Sequence, residues 1–183
     1  IVGSVSYAEE LILHWDGREW TPTYSGESAQ VRAIWGTGPS NVWAVSTLGD
    51  DAILHYDGAA WTRSPPPGGF FGGRSIWGTG PNDVWIAGGL GFLHFDGTSW
   101  IEVQPGSFTG LRGIWGSAPD DVWAVGTHGF YRILHYDGTM WSQANPAVGS
   151  WLNAVWGSGS NDVWAVGDAG TVLSGERGSA LIQ

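Results

Sequence analysis

Hydrophobic and polar residues alternate along this chain in short runs that are broken by turn-forming residues. Between residues 111 and 141 the runs are LRGIWG, DVWAVG and RILHYDG, and Pro119 and Asp120 stand in the first break. Short apolar runs bounded by turn residues predict β-strands joined by hairpins, with a fourth strand beginning near Met140 and Trp141. Strands this short cannot bury their apolar faces alone, so each group of four must pack against neighbouring groups.

The same unit recurs along the chain. The segment ILHWDG returns as ILHYDG, FLHFDG and ILHYDG, and its aspartates Asp16, Asp57, Asp96 and Asp137 are 41, 39 and 41 residues apart. Two further tryptophans stand eight residues apart in each of four copies, and another follows each D-G. Twelve of the 14 tryptophans therefore hold repeat positions. A period of about forty residues with four short strands predicts an all-β propeller built from four-stranded antiparallel blades.

The repeat predicts one domain over 1–183, with blade units at about 1–30, 31–72, 73–110, 111–151 and 152–183. The first unit begins inside its second strand, and Val172–Gly178 takes the third-strand position of the last unit, with Ser174 in place of histidine. We therefore expect about five blades with an incomplete first blade. Three possibilities stay open: Ser179–Gln183 closes the ring, the chain is a piece of a longer propeller, or chains self-associate to complete it.

Composition supports strands and limits the partners. Hydrophobic residues make up 42% of the chain and charged residues 13%, with 31 glycines, which favours strands and tight turns over helices. The net charge of −10 repels phosphate, so no nucleic acid partner is expected. No apolar run approaches the roughly 20 residues of a spanning helix, so no membrane insertion is expected. The chain has no cysteine and no lysine, which suits a secreted or cell-surface protein.

The repeated histidines and aspartates are predicted to be structural. Each histidine stands two residues before its aspartate, so both side chains lie on one face of the strand. We expect the aspartate to accept N–H groups of the turn and the histidine to tie its strand to a neighbour. Single histidines on separate blades cannot converge on one metal ion, so no metal site is predicted. These residues are His14, Asp16, His55, Asp57, His94, Asp96, His135 and Asp137.

The irregular loops are the predicted ligand-binding region. In a four-stranded meander, the loops after the second and fourth strands share one end of the blades, and here they vary between copies and carry aromatic residues. Loops presented by a rigid scaffold commonly bind ligands. The alternative is that Phe70 and Phe71 only cover the end of a blade. The candidate ligand residues are Phe70, Phe71, His128, Phe130, Tyr131 and Trp151.

No catalytic residue or cofactor is predicted. The sequence has no G-x-S-x-G, H-E-x-x-H or P-loop pattern, each of which marks a known kind of catalytic site. A glycosidase needs two carboxylates about 5 to 9 Å apart in a cleft, and no pair of aspartates or glutamates is singled out. We expect the chain not to be an enzyme.

The motifs resemble those of known propeller families. V-W-A-V-G, I-L-H-x-D-G and a following tryptophan resemble the tectonin-type repeat. The D-G turn resembles the Asp-box hairpin of sialidase-like propellers, although it lacks the usual serine and the G-x-T-W spacing. The segment Trp15–Trp20 is similar to repeats of fucose-binding propeller lectins, and the W-G-x-x-x-x-D-V-W-A-V-G unit resembles repeat arrays of bacterial secreted or surface proteins. The I-W-G-x-x-P-x-D element is not part of the lectin patterns.

The resemblance to tectonin-type repeats and fucose-binding lectins implies glycan binding through aromatic stacking. Because the Asp-box pattern is incomplete, no sialidase activity is inferred from it. The expected function is therefore a non-enzymatic carbohydrate-binding module in which repeated weak sites gain by multivalency. The alternative is a protein–protein interaction or structural propeller scaffold with a protein ligand. A glycosidase-like enzyme is the third hypothesis.

Overall fold

The chain folds as an all-β protein in the computed structural model. The structure describes residues 2–6, 9–27, 30–47, 53–67, 72–103, 109–127, 133–144 and 149–175. Within these ranges the strands form five antiparallel sheets that follow one another along the chain. The repeated unit of the sequence is therefore one sheet, and the predicted blade architecture is confirmed.

The strands have nearly the same bounds in each repeat. The first sheet contains β1 (Val2–Ser6), β2 (Glu9–Trp15) and β3 (Trp20–Glu27). The second contains β4 (Val31–Gly38), β5 (Asn41–Ser46), β6 (Ile53–Tyr56) and β7 (Trp61–Arg63). The third contains β8 (Gly73–Gly80), β9 (Asp83–Gly88), β10 (Gly91–Phe95) and β11 (Trp100–Val103). The fourth contains β12 (Leu111–Ala118), β13 (Asp121–Gly126), β14 (Ile133–Tyr136) and β15 (Trp141–Gln143). The fifth contains β16 (Leu152–Gly159), β17 (Asp162–Gly167) and β18 (Val172–Gly175).

The first and fifth sheets have three strands each in the described part of the chain. In the first sheet Val2 pairs with Ile12, as Val125 pairs with Ile133 in the fourth. Strand β1 therefore occupies the position of a second strand, as the sequence indicated. In the fifth sheet Ser174 pairs with Trp164 and so takes the histidine position. The third strand ends at Gly175, and the segment 179–183, whose closure of the ring is one of the three possibilities, lies outside the described residues.

Each of the three central sheets has two apolar faces because its second strand is buried on both sides. We call the face that carries Trp43 in the second sheet the forward face, since it packs on the next sheet along the chain. Trp43 and Val45 lie in one core cluster with Ile86 of the third sheet, whereas Ala44 points back and packs with Ile12 of the first. The same alternation recurs between the third, fourth and fifth sheets. One interface, forward face on back face, is thus repeated four times.

In the second, third and fourth sheets, the tryptophan of the first strand extends this interface to the next sheet. A Cβ atom added at Gly116 would lie 2.5 Å from the ring of Trp77, and one added at Gly157 would lie 2.5 Å from the ring of Trp115. Both distances are far below van der Waals contact, so these glycines leave room for an indole from the preceding sheet. This explains why W-G stands in the first strand of successive repeats.

Candidate functional site

The D-G turns are closed by their aspartates. Asp57 Oδ1 accepts the backbone N–H of Ala59 at 2.8 Å and of Ala60 at 2.9 Å, and the other three copies have the same pair of bonds. The glycines that follow have φ between 91° and 100°, a conformation that strains any residue with a Cβ atom. These carboxylates are therefore occupied in holding the turn between third and fourth strands.

The histidines of three central sheets reach the start of the neighbouring second strand. Nε2 of His94 lies 2.7 Å from Asp83 Oδ1, and Nε2 of His135 lies 2.7 Å from Asp121 Oδ1. Each imidazole also lies against the tryptophan two residues beyond that aspartate, with ring centroids 4.4 Å apart for Trp123 and His135. The histidine is thus fixed by a polar contact at its edge and an aromatic contact on its face.

A hydroxyl from the first strand completes this arrangement. Ser117 donates to the second carboxylate oxygen of Asp121, and Thr79 donates to that of Asp83 at 2.5 Å. We call this set of three side chains the polar bridge. The second sheet has Asn41 in place of the aspartate, 2.7 Å from His55 Nε2. Because the carboxylate lies between the hydroxyl and the imidazole, the hydroxyl donates to the carboxylate and not to the histidine. In a Ser-His-Asp triad the hydroxyl donates to the imidazole, so the polar bridge differs from a triad.

The aspartate of the polar bridge is not among the residues predicted to be structural. Those are the aspartates of the D-G turn, whereas the histidine contacts Asp83 or Asp121 at the start of the second strand. A fixed pattern does mark them: Ser or Thr, four residues later Asp or Asn, then Trp two residues on, in all four copies from residue 37. In the fifth sheet Asp162 keeps its bond from Ser158, but Ser174 stands where the histidine would be.

Hydrogen bonds set the pKa values of these acids. The hydroxyl of Thr98, with the N–H groups of Ser99 and Thr98, lowers the pKa of Asp96 to about 2. At Asp137 the hydroxyl of Thr139 and the turn N–H groups have the same effect, again to about 2. Burial raises the pKa of Asp83, but the bonds from His94 and Thr79 outweigh it and lower the value overall.

These shifts predict acid sensitivity of the turns. The folded pKa of Asp96 and Asp137 lies below the usual value of 3.8, so ionised turns stabilise the fold above about pH 4. That contribution is lost as the pH falls from about 4 to about 2. We expect Asp96→Asn with Asp137→Asn to flatten the fall in melting temperature over this interval, measured from pH 5 to pH 2. Melting curves of the variant and the parent that fall in parallel would contradict this assignment.

Most of the predicted ligand residues lie outside the described residues. These are Phe70, Phe71, His128, Phe130 and Tyr131. Trp151 is described, and its ring is exposed. The guanidinium carbon of Arg112 lies 5.6 Å from the centre of this ring, and Arg112 donates to Asn153, which in turn donates to Asp168 at 2.6 Å. The structure thus places one predicted aromatic residue beside a set of polar side chains, here called the Trp151 cluster.

A second candidate site is an apolar groove between the first and second sheets. Its volume is about 260 Å³, somewhat below the roughly 300–1,000 Å³ of sites for drug-sized ligands. The indole N–H of Trp61 donates to Thr23 of the opposite wall at 3.3 Å, which ties the two sheets together. The groove is lined mainly by Ile12, Leu13, His14, Ile34, Val42 and Trp61. We call it the inter-sheet groove.

The inter-sheet groove exists because the packing repeat is interrupted there. The side chain at the middle of the first strand is buried at Ile76, Ile114 and Val155, which are 5–8% exposed, but Ile34 at the same position is 40% exposed. In the described part of the chain, the first sheet has no strand before β1, so no W-G segment covers Ile34. The groove also adjoins Pro39 and Gly58, at the end of the blades that sequence analysis assigned to the scaffold.

Among the described residues, no three His, Asp or Glu side chains come together as ligands for a metal ion. None of the helical segments that the structure describes has the length and apolarity to cross a membrane.

Comparison with known proteins shows the fold. No family model matches the chain, and no curated protein matches it. Solved β-propellers are similar in structure: YCF48 bound to D1 peptide (TM-score 0.64, 14% identity) and YCF48 from Cyanidioschyzon merolae (TM-score 0.64, 11% identity), both over 100% of this chain. The extracellular domain of the hybrid two-component system BT4673 from B. thetaiotaomicron matches 92% of the chain (TM-score 0.66, 14% identity). The chain spans 65% and 70% of the two YCF48 chains and 25% of BT4673.

Proposed function

We propose that this propeller is a non-enzymatic module that binds a protein ligand, and that the inter-sheet groove takes one or two apolar side chains of an extended segment. The observation that carries the proposal is the exposure of Ile34 in a groove whose equivalents elsewhere in the chain are filled. An apolar concave site with few polar groups at its rim is the usual form of a site for hydrophobic anchors.

The chemistry of the groove favours a peptide over a sugar. Its walls are aliphatic and aromatic, and the indole N–H of Trp61 is already bonded to Thr23. A sugar presents many hydroxyl groups, and burying them without partners costs free energy. Packing a Leu, Ile or Phe side chain against the isoleucine and valine side chains of the groove removes apolar surface from water, which is favourable.

The comparisons support the same class of partner. One similar propeller is YCF48 in complex with a peptide, and another is an extracellular domain. At 11–14% identity these likenesses show the fold alone, so the peptide partner is a proposal for this chain. We also propose a secreted or cell-surface location, which the likeness to an extracellular domain supports.

Selection from a phage-displayed library of random 12-residue peptides tests the groove. We expect the peptides selected on the parent protein to share a large apolar residue. Their affinity should fall at least tenfold for Ile34→Glu, because the new carboxylate would have to be desolvated beside the anchor. The matched control is Ile101→Glu, since Ile101 is similarly exposed on β11, outside the groove. Peptides that bind the parent and Ile34→Glu equally well, with both proteins folded, would overturn the proposal.

The Trp151 cluster supports carbohydrate binding as the second candidate function. An exposed indole can stack on a sugar ring, and the neighbouring Arg112, Asn153 and Asp168 can bond to hydroxyl groups. Asp168 N–H donates to the carbonyl of Trp151 at 2.9 Å, so the two loops are held together. A glycan array that gives signals lost in Trp151→Ala but kept in Ile34→Glu would establish this function instead.

A further inference from the structure

The forward face of the fifth sheet is exposed, although the same face is covered in the sheets before it. Trp164 is 44% exposed, whereas Trp43, Trp85 and Trp123 at the same position are 1–4% exposed. Val166 and Val172 on this face are exposed too, and so is Trp156 of the first strand. In the second, third and fourth sheets the forward face packs on the following sheet. In the fifth sheet this half of the repeated interface is open.

The complementary half is open at the other end of the chain. Trp15 and Trp20 are 47% and 48% exposed, and they stand at the positions of Phe95 and Trp100 in the third sheet. Their ring centroids are 5.7 Å apart, close to the 5.2 Å between Phe95 and Trp100. The first sheet therefore presents outward the same kind of aromatic pair.

In the covered interfaces these two elements meet directly. Trp43 of the second sheet lies 5.1 Å from Phe95 and 5.3 Å from Trp100 of the third, the latter in T-shaped geometry. Trp85 of the third sheet has the same relation to the fourth, 5.1 Å from Tyr136 and 5.6 Å from Trp141. A tryptophan from one forward face thus seats on an aromatic pair from the next back face.

We propose that a second copy of this chain covers the open forward face, with Trp164 of one copy seated on Trp15 and Trp20 of the other. The occupant follows from continuity with the repeated interface, because the two open faces are its two halves. Both halves are exposed within one chain, so they do not cover each other there. A contact between different patches on two copies is head-to-tail and produces rings or open chains of subunits.

Charge gives the contact a recognisable salt dependence. Each copy carries a net charge of −10, so charge repulsion opposes association at low salt. Added salt screens this repulsion, and association through the apolar contact becomes stronger. Light scattering coupled to size exclusion should show masses above the 19.5 kDa of one chain. The fraction of assembled protein should rise with protein concentration and with salt.

Two variants that each destroy one half of the contact give the decisive test. Trp164→Ser alone and Trp20→Ser alone should both run as monomers, since each lacks one half of the head-to-tail contact. Their equimolar mixture should give a dimer, because the intact back face of the first variant meets the intact forward face of the second. Ile101→Ser serves as the matched control and should assemble like the parent.

Three results would overturn the proposal. The parent could remain a monomer at all concentrations and salt levels, or the mixture could stay monomeric while each variant is folded. An assembly that persists in Trp164→Ser would show that another surface is used. Because the inter-sheet groove lies on the inner side of the first sheet, peptide binding can fail or succeed independently of all three.

Discussion

Trp123→Ala is expected to lower the free energy of unfolding by about 3–5 kcal/mol, the range found for large aromatic residues in well-packed cores. Trp123 is one of the largest fully buried side chains of the described residues. It packs between its own histidine and the apolar back face of the fifth sheet. Removing the indole leaves a cavity between the fourth and fifth sheets, which weakens their packing on each other. Urea denaturation followed by circular dichroism measures the effect.

The repeat supplies the control for this substitution. Trp164 occupies the same position in the fifth sheet, but its forward face is open. We expect Trp164→Ala, measured at low protein concentration, to cost only about 1 kcal/mol, as is usual for partly exposed side chains outside the core. Equal losses for the two variants would contradict the assignment of Trp123 to a closed interface and Trp164 to an open face.

Asp121→Ala is the second large expected loss, at about 3 kcal/mol or more. Asp121 is fully buried, and its two carboxylate oxygens accept from Ser117 and contact His135 Nε2 at 2.7 Å. Its removal leaves a hydroxyl and an imidazole without their acceptor in a low-dielectric site, which costs more than a surface hydrogen bond contributes. Thermal denaturation of the variant should show a matching fall in melting temperature.

Asparagine at the same position separates the polar bridge from simple packing. The second sheet already uses Asn41, whose Oδ1 lies 2.7 Å from His55 Nε2 and whose amide donates to Thr37 at 2.8 Å. Asp121→Asn should therefore retain most of the stability. A loss as large as that of Asp121→Ala would show that the negative charge, and not the hydrogen-bond pattern, is what the fourth sheet requires.

Much of the scaffold could be predicted from the sequence because its determinants are local and repeated. Alternation along a strand requires Trp43 and Val45 to lie on one face and Ala44 on the other, and the core clusters of the structure have this arrangement. The D-G motif marks one hairpin turn in each of the first four sheets, and the glycine is needed there because its φ is positive. The polar bridge was missed because its members come from three different strands, and only pairing brings Ser117, Asp121 and His135 together.

The candidate site was harder to predict, because it depends on where the repeat is interrupted. The inter-sheet groove is lined by residues that match repeat positions, so the motif of Ile34 is the same as that of buried Ile76. What differs is the neighbour on the preceding sheet, which no local pattern around Ile34 reveals. The irregular loops were predicted to bind a ligand because their sequences vary between copies. Five of the six candidate residues in these loops lie outside the described residues.

Exposure of individual tryptophans tests the central claim, that one interface builds the scaffold and that binding surfaces lie where it is interrupted. Hydroxyl-radical footprinting with mass spectrometry, on protein dilute enough to be monomeric, measures each of them in one experiment. The account predicts fast oxidation of Trp15, Trp20, Trp156 and Trp164, and protection of Trp43, Trp85 and Trp123. Oxidation of Trp123 as fast as that of Trp164, or protection of both ends in the monomer, would contradict it.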